Sequence, residues 1–267
     1  MGETSIICKP TADTFLRFGV VLAAFFGFGL YFFYDGAVGY REANEVFCSY
    51  HAFAALGGKV DATAEDDWRA DRAAQPLIEA KPTADGLVAV QPDGHELPLP
   101  RVCEAAQSCP PEAADYAAMK RGWMECWQAY SARRHFPIKP GEHGYDAGAI
   151  REQWIAGGVC MLISAALAYL MLRTRCRVMA LEGDWVTAAG QRFRVGDISR
   201  LDLRQWGTGF KGVAYATVNG RRIRMDGMTY GGFSKERDEP AERLMQALLA
   251  QYKGELIEYA AEEKTEH

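Results

Sequence analysis

Residues 153–177 read QWIAGGVCMLISAALAYLMLRTRCR: twenty positions without a charge, then three arginines in five positions. An apolar run of that length matches the ~30 Å hydrocarbon core of a bilayer. Trp154 marks one edge of the run, and Arg173, Arg175 and Arg177 mark the other. A second uncharged run, FGVVLAAFFGFGLYFFY at 18–34, is bounded by Arg17 and Asp35, with Tyr31 to Tyr34 crowded at one end. Aromatic residues at the end of an apolar run suit a membrane–water boundary. This run is longer than a usual signal-peptide core, and YDGAVGY after it has no clear small-x-small cleavage site. An uncleaved, two-pass membrane protein is therefore expected.

The basic residues give the orientation. Arginines beside an apolar span mark the cytoplasmic side, and Lys9 and Arg17 agree for the N-terminus. Between the spans, residues 35–152 hold 12 Lys and Arg against 19 Asp and Glu; residues 173–267 hold 16 against 14. The expected order is a cytoplasmic tail (1–14), a first transmembrane helix (15–35) and an extracytoplasmic, periplasmic domain (36–152). A second transmembrane helix (153–172), a cytoplasmic β-domain (173–260) and an acidic tail (261–267) follow. The location implied is a bacterial inner membrane with both termini inside. A net charge of −5 argues against a nucleic-acid binder.

Four of the seven cysteines, Cys48, Cys103, Cys109 and Cys126, fall in the segment assigned outside. An even number in an oxidising compartment predicts two disulfides. The pairs Cys103–Cys109 and Cys48–Cys126 are favoured, with the two other pairings open. Cys48-Ser-Tyr-His51 has metal-ligand spacing and could recruit Cys126 and His135. No CxxC accompanies it, and two cysteines would be left without a role, so neither a metal nor another cofactor is expected.

Small residues recur at four-residue spacing in both spans: Gly19, Ala23 and Gly27 in the first, Ala156, Cys160, Ser164 and Ala168 in the second. Such faces let helix backbones approach closely. Outside, Val46, Phe47, Tyr50 and Phe53 share a helical face, and Tyr116, Met119, Trp123, Cys126, Trp127 and Tyr130 predict a helix over 112–134. Asp61 to Ile78 reads as a short surface helix. Two strand candidates, 87–90 and 96–99, flank a turn at Pro92-Asp93-Gly94, with Pro98 confining the second to an edge.

After residue 177 the pattern turns to short alternating strands. The clearest unit is VAYATV-Asn219-Gly220-RRIRMD, since Asn-Gly tolerates the positive φ of a two-residue hairpin turn. A helix with Leu244, Met245, Leu248, Leu249 and Tyr252 on one face closes the segment. Alternating strands through 177–226, Trp206 before the hairpin, and the closing helix at 240–252 resemble the pleckstrin-homology-like fold. The whole arrangement is similar to uncharacterised bacterial two-pass membrane proteins with such a cytoplasmic domain. The resemblance is architectural, covers under a third of the chain and implies no activity. The fold class expected is thus a membrane α+β protein: two transmembrane helices, a disulfide-braced helical domain, and an antiparallel β-domain closed by one helix.

Residues 173–224 carry 11 Lys and Arg against 4 Asp and Glu. Arg192, Arg194, Arg221, Arg222 and Arg224 are candidates to hold the β-domain against anionic lipid or a partner. No GxxxxGK[ST], GxSxG or HExxH occurs, a GxGxxG dinucleotide motif is not expected either, and neither span contains a charge. The first expectation is a non-catalytic scaffold or adaptor that binds membrane lipids and protein partners, or a second copy of itself. A signal-transducing sensor with an outside ligand site is the alternative, and an envelope enzyme is third. A concave polar pocket in the outside domain would favour the latter two over the scaffold.

Overall fold

A computed structural model describes residues 5–91, 94–206, 212–231 and 239–258. The chain begins with strand β1 (Ser5–Cys8), helix α1 (Ala12–Tyr34), a π-helical turn (Asp35–Gly39), helix α2 (Tyr40–Lys59) and helix α3 (Glu65–Ala74). Strands β2 (Ala80–Thr83), β3 (Gly86–Val90) and β4 (Glu96–Leu99) precede the short helices α4 (Glu104–Gln107) and α5 (Pro111–Ala114) and the longer α6 (Tyr116–Arg134). Helix α7 (Ala147–Arg175) leads into β5 (Met179–Glu182), β6 (Trp185–Ala188), β7 (Gln191–Arg194), β8 (Ile198–Asp202), β9 (Val213–Val218) and β10 (Arg221–Asp226). The one-turn α8 (Gly227–Gly231), α9 (Pro240–Gln251) and β11 (Glu255–Ile257) complete the described chain. The fold is mixed α and β, in two compact units: residues 1–25 with 162–267, and residues 26–161.

Two helical runs, Ala12–Ala62 and Ala147–Arg175, are long and apolar enough to cross a membrane. Hardly any of their apolar residues are buried within the protein; Val20, Phe28, Val159 and Leu162 are among those left exposed. A core helix of a soluble domain buries its apolar face, so these surfaces require another covering.

In the first unit, β5, β6 and β7 form an antiparallel meander, and β1 adds to its free side, with Ser5 opposite Glu182 and Cys8 opposite Met179. The second sheet runs β10-β9-β8-β11, antiparallel except for β11, which lies parallel to β8. Alternation explains the layers: Ile223 and Met225 point inward from β10, and Arg222 and Arg224 point out. Asn219 and Gly220 both take positive φ between Val218 and Arg221, the two-residue turn expected there. Leu244, Met245 and Leu248 of α9 close the core shared by both sheets, and Cys8 is part of that core. Strands β1 and β11 are not anticipated by the sequence. SIIC and ELI are too short to carry an alternation signal, and each forms only because a neighbouring edge offers it hydrogen bonds.

In the second unit, α2 and α6 pack through Phe53, Trp127 and Tyr130, all fully buried. Trp68 of α3 packs edge-on against Tyr116, so this otherwise polar helix is anchored by one aromatic ring. The sheet order is β2-β3-β4, which leaves Pro82 and Pro98 on edge strands. Pro92 and Asp93 of the expected turn, and the acidic tail 261–267, lie outside the described residues. Near the end of α1 and the start of α7 the two helices touch. A Cβ on Gly29 would come within 2.9 Å of the Met161 sulfur and 3.5 Å of the Cys160 Cβ; one on Gly157 would come within 2.6 Å of the Phe33 ring; one on Gly36 would come within 3.0 Å of the Trp154 indole.

The expected disulfides are absent, and this corrects the sequence reading. Cys48, Cys103, Cys109 and Cys126 are all free thiols. Cys48 accepts a hydrogen bond from the Gln91 amide at 3.3 Å, Cys103 bonds to the Glu45 carboxylate, and Cys109 donates to the Pro110 carbonyl at 3.7 Å. These three thiols thus have separate surroundings. Burial pushes the thiols of Cys48 and Cys103 up to about 12, which keeps them protonated and poorly reactive. Stability here comes from the aromatic core, and the cysteines no longer bear on which compartment holds this unit.

Candidate functional site

The second unit carries a cleft of about 580 Å³ between α2, the end of α6 and the segment after β4. Its lining includes Glu42, Glu45, Val46, Arg134, His135 and Phe136. The geometry begins in α2, where Glu45, Ser49, Phe53 and Leu56 fall on the buried face at helical spacing. Asn44 fixes the helix beside the cleft: its Nδ2 donates to the carbonyls of Pro98 and Tyr145 at 2.8 Å each, and its Oδ1 accepts from the Tyr145 backbone N–H at 2.7 Å.

Glu45 is 2% exposed, and Arg134 at the end of α6 binds its carboxylate at 2.6 Å. Burial outweighs this attraction and holds the carboxyl above its ordinary pKa. Arg134 also approaches Glu104 at 3.6 Å, and Arg133 bridges Glu104 and Glu112 at 2.9 and 2.7 Å. A chain of alternating charges therefore stiffens the wall. His135 ends α6 in the left-handed region (φ 56°) and turns the backbone so that Phe136 reaches the cleft. The result is a buried glutamate paired with a half-buried arginine, with a histidine and an aromatic ring at the margin. Such a site suits a small molecule that has both polar and apolar parts.

Sequence reasoning missed this site. The available signal was Glu45 itself, a charge on the buried face of an amphipathic helix. Trp68 and Trp127 belong to the core of this unit, and Trp123 packs over Gly57. Among the described residues, no group of three or more His, Cys, Asp and Glu side chains is placed to hold a metal ion. His51 packs against the rings of Phe47 and Tyr50.

The five candidate arginines of the β-domain are divided between two sheets. On β7, Arg192 pairs with Glu182 at 3.1 Å and Arg194 with Asp184 at 3.9 Å, both over the Trp185 ring. On β10, Arg222 pairs with Asp202 at 3.2 Å and stacks on Tyr215, while Arg224 pairs with Asp226 at 2.7 Å. Arg221 is exposed beside the hairpin turn. Of the helix-face candidates, Cys160 reaches the contact at Gly29 and Ser164 is buried, with Ala156 and Ala168 half-buried. Gly19 and Gly27 meet nothing within 4 Å, and Ala23 is exposed.

Residues 207–212, GTGFKG, have GxGxxG spacing, which corrects the expectation that this motif is absent. They fall between β8 and β9, antiparallel neighbours, whereas a dinucleotide site needs a strand-to-helix turn. Residues 207–211 lie outside the described residues. Compared with known proteins, the chain matches no family model, no curated protein and no solved structure.

Proposed function

We propose that this is a two-pass membrane protein that senses a small ligand on one side and passes the signal to a β-domain on the other. The observation that carries the reading is helical continuity. Glu42, Glu45 and Val46 of the cleft sit on a helical run that extends unbroken from Ala12 to Ala62, through the first apolar segment. Upstream of that run, β1 is a strand of the β-domain's own sheet. Ligand-induced movement of α2 has a covalent route to that sheet. The π-helical turn at 35–39, where the Tyr40 N–H bonds back to the Asp35 carbonyl, lies on the route, and such turns favour functional sites.

Pairing of β1 with β5 supports the topology. Strands on either side of two membrane crossings can pair only if both lie on one side, and the arginines at 173–177 make that side cytoplasmic. This support replaces the one withdrawn from the cysteines. With single cysteines in a cysteine-free background, a membrane-impermeant maleimide should label Glu142→Cys on intact cells, and Ile7→Cys and Cys176 only after lysis. Labelling of all three from outside would sink the topology.

The ligand reading is tested on the full chain in detergent by a thermal-shift panel of amino acids, short peptides and sugar phosphates. A compound that raises the melting temperature of the wild type, but not of Glu42→Ala or Glu45→Gln, is expected. A panel without any such shift would leave the scaffold as the better reading. The scaffold reading draws on β7, the outer strand of its sheet, whose edge suits strand addition by a partner.

A further inference from the structure

Two neighbouring clefts in the β-domain unit lie where the apolar helices end. One, of about 280 Å³, is lined by Leu170, Arg173 and Arg177 from α7 and the segment after it, and by Arg224 of β10. The other, of about 370 Å³, has Arg17, Phe18 and Val21 of α1 on one wall and Arg224 and Met228 on the other. Arg224, Asp226 and Thr229 belong to both. Four arginines from three separate stretches of chain thus line two adjoining clefts, whose one lining carboxylate is Asp226.

That carboxylate is engaged already. One Asp226 oxygen binds Arg224 at 2.7 Å, and the other accepts the Thr229 N–H at 3.0 Å. Arg17 pairs with Asp13 on its own helix at 3.1 Å. Arg173 and Arg177 make no ion pair among the described residues. Convergence of like charges is unfavourable unless an anion sits between them. Arginine's planar fork matches the oxygens of a phosphate.

The remaining walls narrow the ligand further. Leu170, Phe18 and Val21 are exposed apolar residues at the basic ends of the two runs. A free phosphate has no use for them. A glycerophospholipid carries a phosphate and acyl chains on one molecule, so it can use both the basic and the apolar walls. We propose that the two adjoining clefts bind the headgroup of an anionic phospholipid, its phosphate between Arg173, Arg177 and Arg224 and its acyl chains along Leu170 and Phe18. This keeps Arg224 among the strand arginines and adds Arg173 and Arg177 at the foot of α7, while Arg192, Arg194 and Arg222 stay paired with carboxylates. The lipid would hold the β-domain at the membrane surface, and the inference rests on the two-pass reading.

The test uses the full chain in nanodiscs of equal parts phosphatidylglycerol and phosphatidylcholine, with retained lipid counted by native mass spectrometry after mild detergent extraction. Phosphatidylglycerol should be retained in excess. Arg173→Gln with Arg177→Gln should reduce that excess by about fivefold per arginine removed. The double Lys variant should keep most of it. Arg175→Gln, in the same basic run but outside both clefts, should leave it unchanged.

Equal retention of the two lipids, or equal loss with Arg175→Gln, would overturn the proposal in favour of a diffuse surface charge. Displacement of the lipid by millimolar inorganic phosphate, without preference for phosphatidylglycerol, would assign the site to a soluble phosphate and overturn it also. Release of the chain from membranes by alkaline carbonate would overturn the two-pass reading and this inference together. An unselective but carbonate-resistant protein would overturn the inference alone.

Discussion

Cys8 stands opposite Met179 in an antiparallel ladder, so the last residue of β1 pairs with the first strand residue after the second long helix. Both side chains are 1% exposed, in the core shared by the two sheets. Cys8→Asp puts a charge in that core and should destabilise the β-domain by about 3 kcal/mol or more. Ile7, its neighbour in the strand, is half exposed, and Ile7→Asp should stay within about 0.5 kcal/mol. Thermal unfolding of the two variants in detergent checks the strand. Equal tolerance of both would mean that β1 is not in the sheet.

Asp202 gives a pH dependence. The Arg204 side chain holds it in two hydrogen bonds of 3.0 and 2.9 Å, Arg222 adds a third, and together they push the carboxyl down to about 2. A depressed carboxyl stabilises the fold above its unfolded pKa of ~3.9, and that contribution is lost as pH falls through the folded value. Asp202→Asn should lower stability at pH 7 by about 1 kcal/mol and flatten the stability curve between roughly pH 4 and pH 2. An acid titration followed by circular dichroism reads both effects.

Arg134→Ala leaves Glu45 as a buried carboxylate without its closest partner. Removing one member of such a pair costs about 3–5 kcal/mol. The cost attaches to the charged form. Burial already raises the Glu45 carboxyl, and the variant should raise it further, so the deficit should shrink as pH is lowered from neutral into the acid range. A deficit independent of pH would show that Arg134 acts through packing alone.

The thiols make a chemical prediction. With thiol pKa values pushed up to about 12, Cys48 and Cys103 hold roughly a thousandfold less thiolate at pH 8 than an ordinary cysteine. N-ethylmaleimide should modify the exposed Cys176 in minutes and leave those two untouched until the chain is unfolded. Peptide mapping that found either in a disulfide would overturn the free-thiol arrangement.

Gly157 sets the distance between the long helices. A Cβ there meets the Phe33 ring at 2.6 Å and the Gly29 carbonyl at 3.2 Å. Gly157→Leu should cost about 1–3 kcal/mol through overpacking, whereas Gly27→Leu, with open space around it, should cost little. Melting temperatures of the two variants in one detergent compare them directly.

The long apolar helices were legible because their signal is local and large: some twenty uncharged residues in a row admit few readings. The Asn219-Gly220 hairpin and the closing helix after Pro240 were legible for the same reason, since turn chemistry and 3.6-residue spacing are written in adjacent residues. The small-residue spacing is a weaker guide. A small residue every four positions shows where a backbone could approach another, but the neighbour's side chains decide whether it does, and close approaches fall at Gly29 and Gly157.

Sequence alone determined the two apolar runs, their arginine-marked ends and the change from helical to strand patterning after residue 177. Tertiary structure alone decided three matters. Strand β1 exists because β5 has an edge to pair with. Cys48, Cys103 and Cys109 stay free thiols, because folding puts each beside a different partner. Glu45, Arg134 and His135 form one cleft although ninety residues of chain separate Glu45 from His135. In each case the deciding interaction joins residues far apart in sequence, and its energy appears only when folding brings them together.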